Sequence, residues 1–202
     1  MPRTYKQNKE LKDLRRKEIL EKSLIIFSNV GIKGVTMDQI AKFVGCSHGL
    51  LYHYFSSKED LFNEHKKLCQ SLIEGKITEC TLLYNKDESL LEAVNELFIN
   101  LIFSDNKTDC YYLYLYTLVC LYGLTISKQL FAQNKKLENH FKDTFKTFLI
   151  NHPTLTKAQL KERVKCYFIF ISGLATNYIK YPGLFVKKID HRIIYNTFFS
   201  IE

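Results

Sequence analysis

The segment from Thr36 to Leu61 constrains the fold more than any other part of this 202-residue chain. Thr36 is a residue type that begins helices, and Asp38 adds negative charge to the first turn, where the helix dipole favours it. Gly45 can adopt the left-handed conformation that ends a helix, and Ser47 can begin the next one. The pattern predicts a helix, a glycine turn, a second short helix and a third helix, which is a helix-turn-helix arrangement.

The apolar residues of this segment fall on one side of the predicted helices. Ile40, Ala41 and Val44 form one face of the first helix, and Leu51 and Phe55 continue it four residues apart. Polar or bulky side chains occupy the other positions of the second helix. In a helix-turn-helix the second helix enters the DNA major groove, so this helix is the candidate for reading bases.

The same segment resembles the DNA-binding signature of the tetracycline-repressor (TetR) family of bacterial transcriptional regulators. The matching positions are Thr36, Ile40, Ala41, Gly45, Ser47, Gly49, Leu51, Tyr52, Tyr54, Phe55, Ser57, Lys58, Glu59 and Leu61. Cys46 stands where the family usually has valine. Upstream residues from Ile19 to Gly31 fit the family's first helix, so the resemblance covers roughly residues 14–62.

The resemblance implies which residues contact DNA. The expected DNA-binding residues are Thr36, Lys42, Ser47, His48, Gly49, Leu50, Tyr52, His53, Tyr54 and Lys58. The helix that is the candidate for reading bases, residues 47–54, is the third helix of the chain. It contains no lysine or arginine, although arginine to guanine is the commonest specific contact. Base reading is therefore expected from residues such as Ser47, His48 and Leu50, and phosphate contacts from Thr36 and Lys58. A solvated surface histidine is the alternative for His48.

Positive charge is concentrated in the first part of the chain. Residues 1–57 contain ten basic and five acidic side chains, so they carry +5 of the total charge of +8. A basic helix-turn-helix domain suits a polyanionic partner, although a basic surface can also serve solubility alone. Further phosphate or minor-groove contacts are expected from a basic arm, unless the arm is disordered; its residues are Arg3, Lys6, Lys9, Arg15 and Arg16.

Helical periodicity continues through the remaining sequence, which has three prolines and eight glycines in all. The predicted fold is all-α with about nine helices: a three-helix helix-turn-helix domain, residues 1–57, and a helical ligand-binding and dimerisation bundle, residues 58–202. We predict helices over about 10–30, 58–83, 88–104, 109–123, 126–150, 156–180 and 185–200, besides the two of the helix-turn-helix. The first is expected to pack inward through Leu14, Ile19, Leu20, Leu24, Phe27 and Val30.

The resemblance implies that the second half binds a small molecule and forms a dimer. A tyrosine-rich helix suggests a pocket for a largely apolar or aromatic ligand, lined by Tyr111, Tyr114, Leu115, Leu118 and Tyr122. The other side of this helix, or all of it, packs in a core. The last two helices are expected to supply a homodimer interface with Val164, Phe168, Ile171, Ala175, Ile193 and Phe198, some of which serve the chain's own core instead.

The sequence favours a regulator over other classes of protein. It has no P-loop, nucleophile elbow, HExxH motif or dinucleotide fingerprint, and its histidines and six cysteines show no metal spacing, so neither an enzyme, a cofactor nor a metal is expected. The cysteines read as reduced thiols of a cytoplasmic protein, with a redox role at Cys110 or Cys120 as the alternative. The uncharged run 110–126 contains five tyrosines, which argues against a membrane span.

The predicted function is sequence-specific DNA binding by a repressor that a small molecule releases from a near-palindromic operator. The alternative is a DNA-binding regulator that is independent of ligand or controlled by a partner protein.

Overall fold

The fold is all-α, as the sequence predicts. The computed structural model describes residues 5–83, 88–122, 135–185 and 187–200, and it describes the backbone alone at helical positions 81, 83, 88, 89, 118–122, 135–138, 140 and 141. Within these described ranges the chain forms helices joined by turns and loops, and no strand occurs.

The helices follow the predicted order. They are α1 (Tyr5–Val30), α2 (Met37–Val44), α3 (His48–Tyr54), α4 (Lys58–Leu83), α5 (Glu88–Ile102), α6 (Lys107–Tyr122), α7 (Lys135–Asn151), α8 (Lys157–Lys180) and α9 (His191–Phe199), with a short 3-10 turn at Pro182–Leu184. The Cα positions form two compact units, Met1–Lys67 and Leu68–Glu202, so α4 contributes to both. The division at 57/58 remains a prediction about which part folds independently.

Two helices begin away from the starts near residues 10 and 185. The first begins at Tyr5, so the basic arm extends this helix, which is one of the two alternatives that its polar sequence leaves open. The last helix begins at His191 and not near residue 185, because Asp190 is its N-cap and accepts a hydrogen bond from the Arg192 backbone N–H at 2.9 Å. A polar sequence without apolar periodicity, as in residues 5–13, gives no packing signal for a helix.

The first unit is built around the apolar faces of its short helices. The residues that form its core, all at most 4% exposed, are Ile19, Leu24, Phe27, Val35, Ile40, Ala41, Val44, Leu51, Phe55 and Leu61. The inward packing of Leu20 is also confirmed. Leu14 and Val30 are 63% and 52% exposed, so their predicted inward packing is wrong.

The second unit is a helical bundle in which α6 packs along α8 and α5 contacts α6, α7, α8 and α9. Its most completely buried side chains include Ile73, Ile77, Leu90, Phe98, Ile99, Leu113, Tyr116, Phe148 and Ile171.

Asn95 on α5 joins three helices of this bundle through its side chain, which is 1% exposed. Its Oδ1 accepts a hydrogen bond from the Tyr167 hydroxyl of α8 at 3.1 Å, and its Nδ2 donates to the His191 carbonyl at the start of α9 at 2.7 Å. Burial raises the pKa of Tyr167, so this hydroxyl keeps its proton and acts as the donor. Both polar ends of the Asn95 amide are thus satisfied inside the core.

His65 is a buried histidine of the first unit. Its Nε2 lies 2.9 Å from Ser23 Oγ, whose own proton is directed to the Leu20 carbonyl at 3.1 Å. Nε2 is therefore the protonated nitrogen, and Nδ1 is buried with no hydrogen-bond partner among the described residues. Burial lowers the pKa of His65 to about 4, because the imidazolium ion would lose its hydration.

The low pKa of His65 makes the stability of the first unit depend on pH. Between about pH 6.5 and 4 the unfolded chain binds a proton that the folded unit does not, so stability falls as the pH falls. From pH 7 to 5 we expect His65 to remove about 2 kcal/mol from the free energy of unfolding, measured by urea titration. The slope should flatten in His65→Gln and persist in His53→Gln, which changes an exposed histidine of the same unit. Equal slopes in all three proteins would contradict this role.

No helix in the described part of the chain is long and apolar enough to cross a membrane.

Candidate DNA-binding surface

Helix α2 has a well-defined start. Thr36 is its N-cap: the Thr36 hydroxyl accepts a hydrogen bond from the Gln39 backbone N–H at 3.3 Å, and the Gln39 side chain accepts one from the Thr36 N–H at 2.9 Å. This reciprocal capping box satisfies two N–H groups that a helix start leaves without partners. The sequence predicted the cap at Thr36 and missed that the Gln39 side chain completes the capping box.

The end of α2 is fixed by glycine and by cations of α1. Gly45 has φ +77°, the predicted left-handed conformation. Arg15 donates to the Gly45 carbonyl at 3.1 Å, and Lys22 donates to the Val44 carbonyl at 3.3 Å. Both cations also bond to Glu18, and these bonds, led by that from Lys22, lower the pKa of the Glu18 carboxyl. Two basic residues of α1 thus stabilise the turn between α2 and α3.

Arg16 holds α1 against the start of α4. Its guanidinium donates to Glu64 at 2.9 Å and lies over the Phe55 ring, 5.0 Å from the ring centroid. The hydrogen bond from Arg16 is the main reason for the lowered pKa of Glu64. Arg15 and Arg16, predicted as arm contacts to DNA, therefore have partners inside the protein, and Arg3 lies outside the described residues.

Helix α3 presents a buried side and an exposed side. Ser47 caps it by accepting the Leu50 N–H at 3.1 Å, as predicted. Leu51 is fully buried, whereas Tyr52 is 46% exposed and His48 and His53 are also exposed. The predicted buried face and exposed face of this helix agree with the structure.

An open cleft of about 360 Å³ lies beside α3. Its walls are Thr36, Met37, Asp38, His48, Tyr52, Ser57, Lys58 and Glu59, which bring together the starts of α2 and α4. The Ser57 hydroxyl accepts the Asp60 N–H at 3.0 Å, and the Lys58 ammonium donates to the Val35 carbonyl at 2.9 Å. The starts of two helices and an ammonium group favour a phosphate at such a place.

His48 is held in this cleft by two contacts. Its Nδ1 lies 3.0 Å from Asp38 Oδ1, and its ring lies 4.6 Å from the Tyr52 ring, centroid to centroid. Sequence reasoning gave Asp38 a role in the helix dipole and missed this pairing, because the two residues meet only when α2 and α3 fold against each other.

The predicted DNA-binding residues share one property in the structure. All ten are at least partly exposed: Thr36, Lys42, Ser47, His48, Gly49, Tyr52 and His53 are exposed, and Leu50, Tyr54 and Lys58 are half-buried. Of these, Thr36, His48, Tyr52 and Lys58 line the cleft. Their contact with DNA stays a prediction.

Gly49 is exposed on α3, and the protein itself has room for a side chain there. A Cβ at this position would meet no atom within 4 Å. Internal packing therefore does not require glycine, and a close approach by another molecule remains a reason for it.

Substitution of Gly49 separates stability from binding. We expect Gly49→Ala to raise the free energy of unfolding by about 0.5–1 kcal/mol, because alanine favours a helix over glycine. We expect it to weaken DNA binding roughly tenfold, since a methyl group would stand between α3 and the groove. Gly75→Ala, at another helical glycine whose Cβ would meet no atom, is the matched control and should leave DNA affinity unchanged. Unchanged affinity in Gly49→Ala would mean that α3 does not approach the bases there.

The predicted ligand pocket is only partly visible. Tyr111 and Tyr114 are half-buried and Leu115 is 4% exposed, while the side chains of Leu118 and Tyr122 lie outside the described residues. On the other side of α6, Tyr112 and Tyr116 are 7% and 1% exposed, so this is a side that packs. The pocket stays a prediction.

The predicted dimer residues divide into two groups. Ile171 and Ala175 are fully buried within the chain, which is the core role that the sequence left open for some of the set. Ile193 is 64% exposed, and Val164, Phe168 and Phe198 are half-buried. Sequence analysis missed Ile169 and Phe170, which are 51% and 39% exposed on α8. Periodicity alone does not separate these exposed residues from the buried Ile171 of the same helix.

Five cysteines have described side chains, and no disulfide joins any two of them: Cys46, Cys69, Cys80, Cys110 and Cys166. Cys110 is 1% exposed, and burial raises its pKa to about 12. A thiol that is buried and protonated is a poor redox sensor. The side chain of Cys120, the other redox candidate, lies outside the described residues. No group of three or more His, Cys, Asp or Glu that could hold a metal ion occurs within the described part of the chain.

The capped helices, the exposed α3 and the cleft beside it define an all-α protein with a helix-turn-helix surface. Residues 19–65 match the family model described as bacterial regulatory proteins, tetR family. Over this region the chain is similar to the tetR family of bacterial regulatory proteins.

Similar proteins of known sequence are regulators. The chain is 28% identical over 86 residues to the biofilm operon icaADBC HTH-type negative transcriptional regulator IcaR of Staphylococcus aureus, which is 43% of this chain and 45% of that protein. It is 31% identical over 87 residues to the HTH-type transcriptional regulator AcrR of Shigella flexneri, which is 43% of this chain and 40% of that protein. The alignments span less than half the length of these relatives. Both relatives are named as transcriptional regulators.

Solved structures of similar fold extend over nearly the whole chain. The probable transcriptional regulatory protein RHA5900 has a TM-score of 0.57 at 17% identity, covering 91% of this chain and 96% of that one. The ketosteroid transcriptional regulator KstR2 of Mycobacterium tuberculosis has a TM-score of 0.52 at 18% identity, covering 91% and 90%. These similarities support the fold.

Proposed function

We propose that this protein is a cytoplasmic transcriptional repressor that binds a near-palindromic DNA operator as a homodimer. The observation that carries the proposal is α3, a short capped helix whose apolar residue Leu51 is buried while His48 and Tyr52 face outward beside the cleft. A helix fixed by its caps and core can present the same side chains to every site it meets. The repressor role is supported by the similarity to IcaR, a negative regulator.

Affinity should come mainly from phosphate contacts, because α3 lacks lysine and arginine. Lys42 is exposed, and Lys58 lies at the start of α4 in the cleft, where a phosphate can also meet free backbone N–H groups. Lys6 and Lys9 lie on the exposed first turns of α1. Each phosphate neutralised releases counterions, so binding should weaken steeply as salt increases.

Two subunits are needed to read two half-sites about one DNA turn apart. The exposed apolar residues of α8 and α9 suit a contact with a second copy, and they include Ile169, Phe170 and Ile193. Such exposed apolar side chains, rimmed by polar ones, mark association surfaces.

Ile193 gives a test of this interface that does not disturb the chain's own core. We expect Ile193→Glu to leave the unfolding of the monomer nearly unchanged, because the side chain is 64% exposed. It should shift the protein from dimer to monomer in sedimentation velocity and weaken operator binding at least tenfold, since each half-site would then bind alone. A dimer that survives both Ile193→Glu and Phe170→Glu would place the interface elsewhere.

The effector is proposed to be a small, largely apolar or aromatic molecule held in the second unit. Tyr111 and Tyr114 are half-buried on α6 and offer flat apolar faces with hydroxyls. Binding would release the DNA if the ligand favours a conformation with low affinity for the operator. A library of aromatic compounds, screened for release of a bound duplex, tests this part.

Selection of genomic fragments bound by the protein tests the DNA-binding function. A repressor should enrich a small set of fragments that share an inverted repeat, and titration of that duplex should give an affinity at least a thousandfold above random DNA at the same salt. Enrichment without a shared sequence, or equal affinity for random DNA, would refute a sequence-specific regulator.

A further inference from the structure

We propose that His48 reads a guanine in the major groove as an imidazolium ion held by Asp38, so that specific binding takes up one proton. The inference rests on the proposed DNA-binding function and names the base and the charge state of one contact. Asp38 is a positioning residue in this scheme, because it acts through His48.

The geometry leaves one ring nitrogen of His48 for DNA. Nδ1 faces the Asp38 carboxylate at 3.0 Å, and the ring packs against Tyr52. Nε2 is the remaining nitrogen on an imidazole side chain that is 54% exposed. Two contacts from α2 and α3 therefore orient the ring and assign one nitrogen to the outside.

The charge of the cleft favours the imidazolium form when DNA is bound. The charged groups that face His48 are Asp38 of α2 and, along the same cleft, Lys58 and Glu59 of α4; Tyr52 of α3 is neutral. Two carboxylates and one ammonium leave a net charge of −1 if His48 is neutral, and zero if it is protonated. With His48 neutral, this charge of −1 opposes the attraction that the helix starts and Lys58 exert on a phosphate, so bound phosphates favour the protonated form. Histidine is the side chain that can gain this charge near neutral pH.

A protonated His48 selects guanine because Nε2–H is then a donor. Guanine presents two acceptors, N7 and O6, at the major-groove edge. A neutral His48 with its proton on Nδ1 would instead present Nε2 as an acceptor and would select the amino group of adenine or cytosine. The proton would thus supply the positive charge that α3 lacks in its sequence.

The test uses the duplex that the wild-type protein selects from a random library at pH 6.5. Affinity is measured from pH 6.0 to 8.0 at fixed salt, with each guanine replaced in turn by 7-deazaguanine, which lacks N7. We expect the wild-type affinity to fall up to tenfold per pH unit as the pH rises, the limit for uptake of one proton. Replacement of one particular guanine in each half-site should lower the affinity for the duplex about tenfold.

Three variants locate the effect. In His48→Ala both the pH dependence and the penalty for 7-deazaguanine should disappear. His53→Gln, on the same helix, should keep the pH dependence whatever its affinity. Asp38→Asn should weaken the pH dependence and increase binding to random DNA, because it removes a carboxylate near the phosphates.

The possible results separate the two proposals. If no sequence is selected, the proposed function fails. If a sequence is selected but the wild type and His48→Ala share one pH dependence, or if removing an adenine or cytosine amino group is what couples to His48, the guanine contact is refuted and specific DNA binding stands.

Discussion

Truncation of Phe55 to alanine is expected to lower the free energy of unfolding of the first unit by about 3–5 kcal/mol. The ring is 1% exposed, directly follows α3 and packs in the core of the helix-turn-helix. The Arg16 guanidinium lies over this ring and also donates a hydrogen bond to Glu64. The substitution therefore removes buried apolar area and one face of a cation–π contact together. Urea denaturation of the isolated variant, followed by circular dichroism, measures the loss.

Tyr52→Ala is the matched control for this prediction. Tyr52 lies three residues earlier and is 46% exposed, so its truncation should cost less than about 1 kcal/mol of stability. It should instead weaken operator binding, because the ring supports His48 in the cleft. If both variants lost stability equally, the distinction between the buried and exposed sides of α3 would be wrong.

Replacement of Asn95 by leucine is expected to destabilise the second unit by about 2–4 kcal/mol. The change removes two hydrogen bonds and leaves the Tyr167 hydroxyl and the His191 carbonyl without this partner, each at a cost of about 1–3 kcal/mol. Leucine has the same branching as asparagine, but its two methyl groups are larger than the amide oxygen and nitrogen and add steric strain to the cost. Thermal unfolding of the full chain, with the far-ultraviolet signal as readout, measures the change.

Tyr167→Phe tests the same network from its other end. It removes one donor and leaves the bond from Asn95 to His191 in place, so its cost should be about 1 kcal/mol. Combined with Asn95→Leu, it should add little further loss of stability, because Asn95→Leu has already removed the acceptor of this hydroxyl. Additive losses would mean that the two side chains do not act as one unit.

The sequence predicts the helix-turn-helix well because the signals for its helix ends are local. A cap at Thr36, a left-handed glycine at Gly45 and a cap at Ser47 each depend on a few neighbouring residues, and all three have the predicted geometry. The burial of Leu51 and Phe55 follows from their spacing on one face. Such features depend on local backbone chemistry and periodicity, so neighbouring residues are enough to predict them.

Pairings across helices could not be predicted in this way. Asp38 meets His48, Arg16 meets Glu64, and Ser23 meets His65 only after separate helices pack. The same holds for α8: periodicity predicts an apolar face, but only the folded chain shows that Ile171 is buried and Ile169 is exposed. A single sequence carries no record of these distances.

The capping box of α2 has a consequence for the proposed binding to DNA. Its partners, Thr36 and Gln39, are both uncharged, as are Thr156 and Gln159 at the start of α8. A glutamate could complete the same box at position 39, but it would set an anion beside the phosphates. Because the Gln39 amide is uncharged, salt that weakens the proposed contacts with phosphates does not weaken this cap. A protein that binds DNA as proposed would therefore dissociate with its helix-turn-helix still folded for the next site.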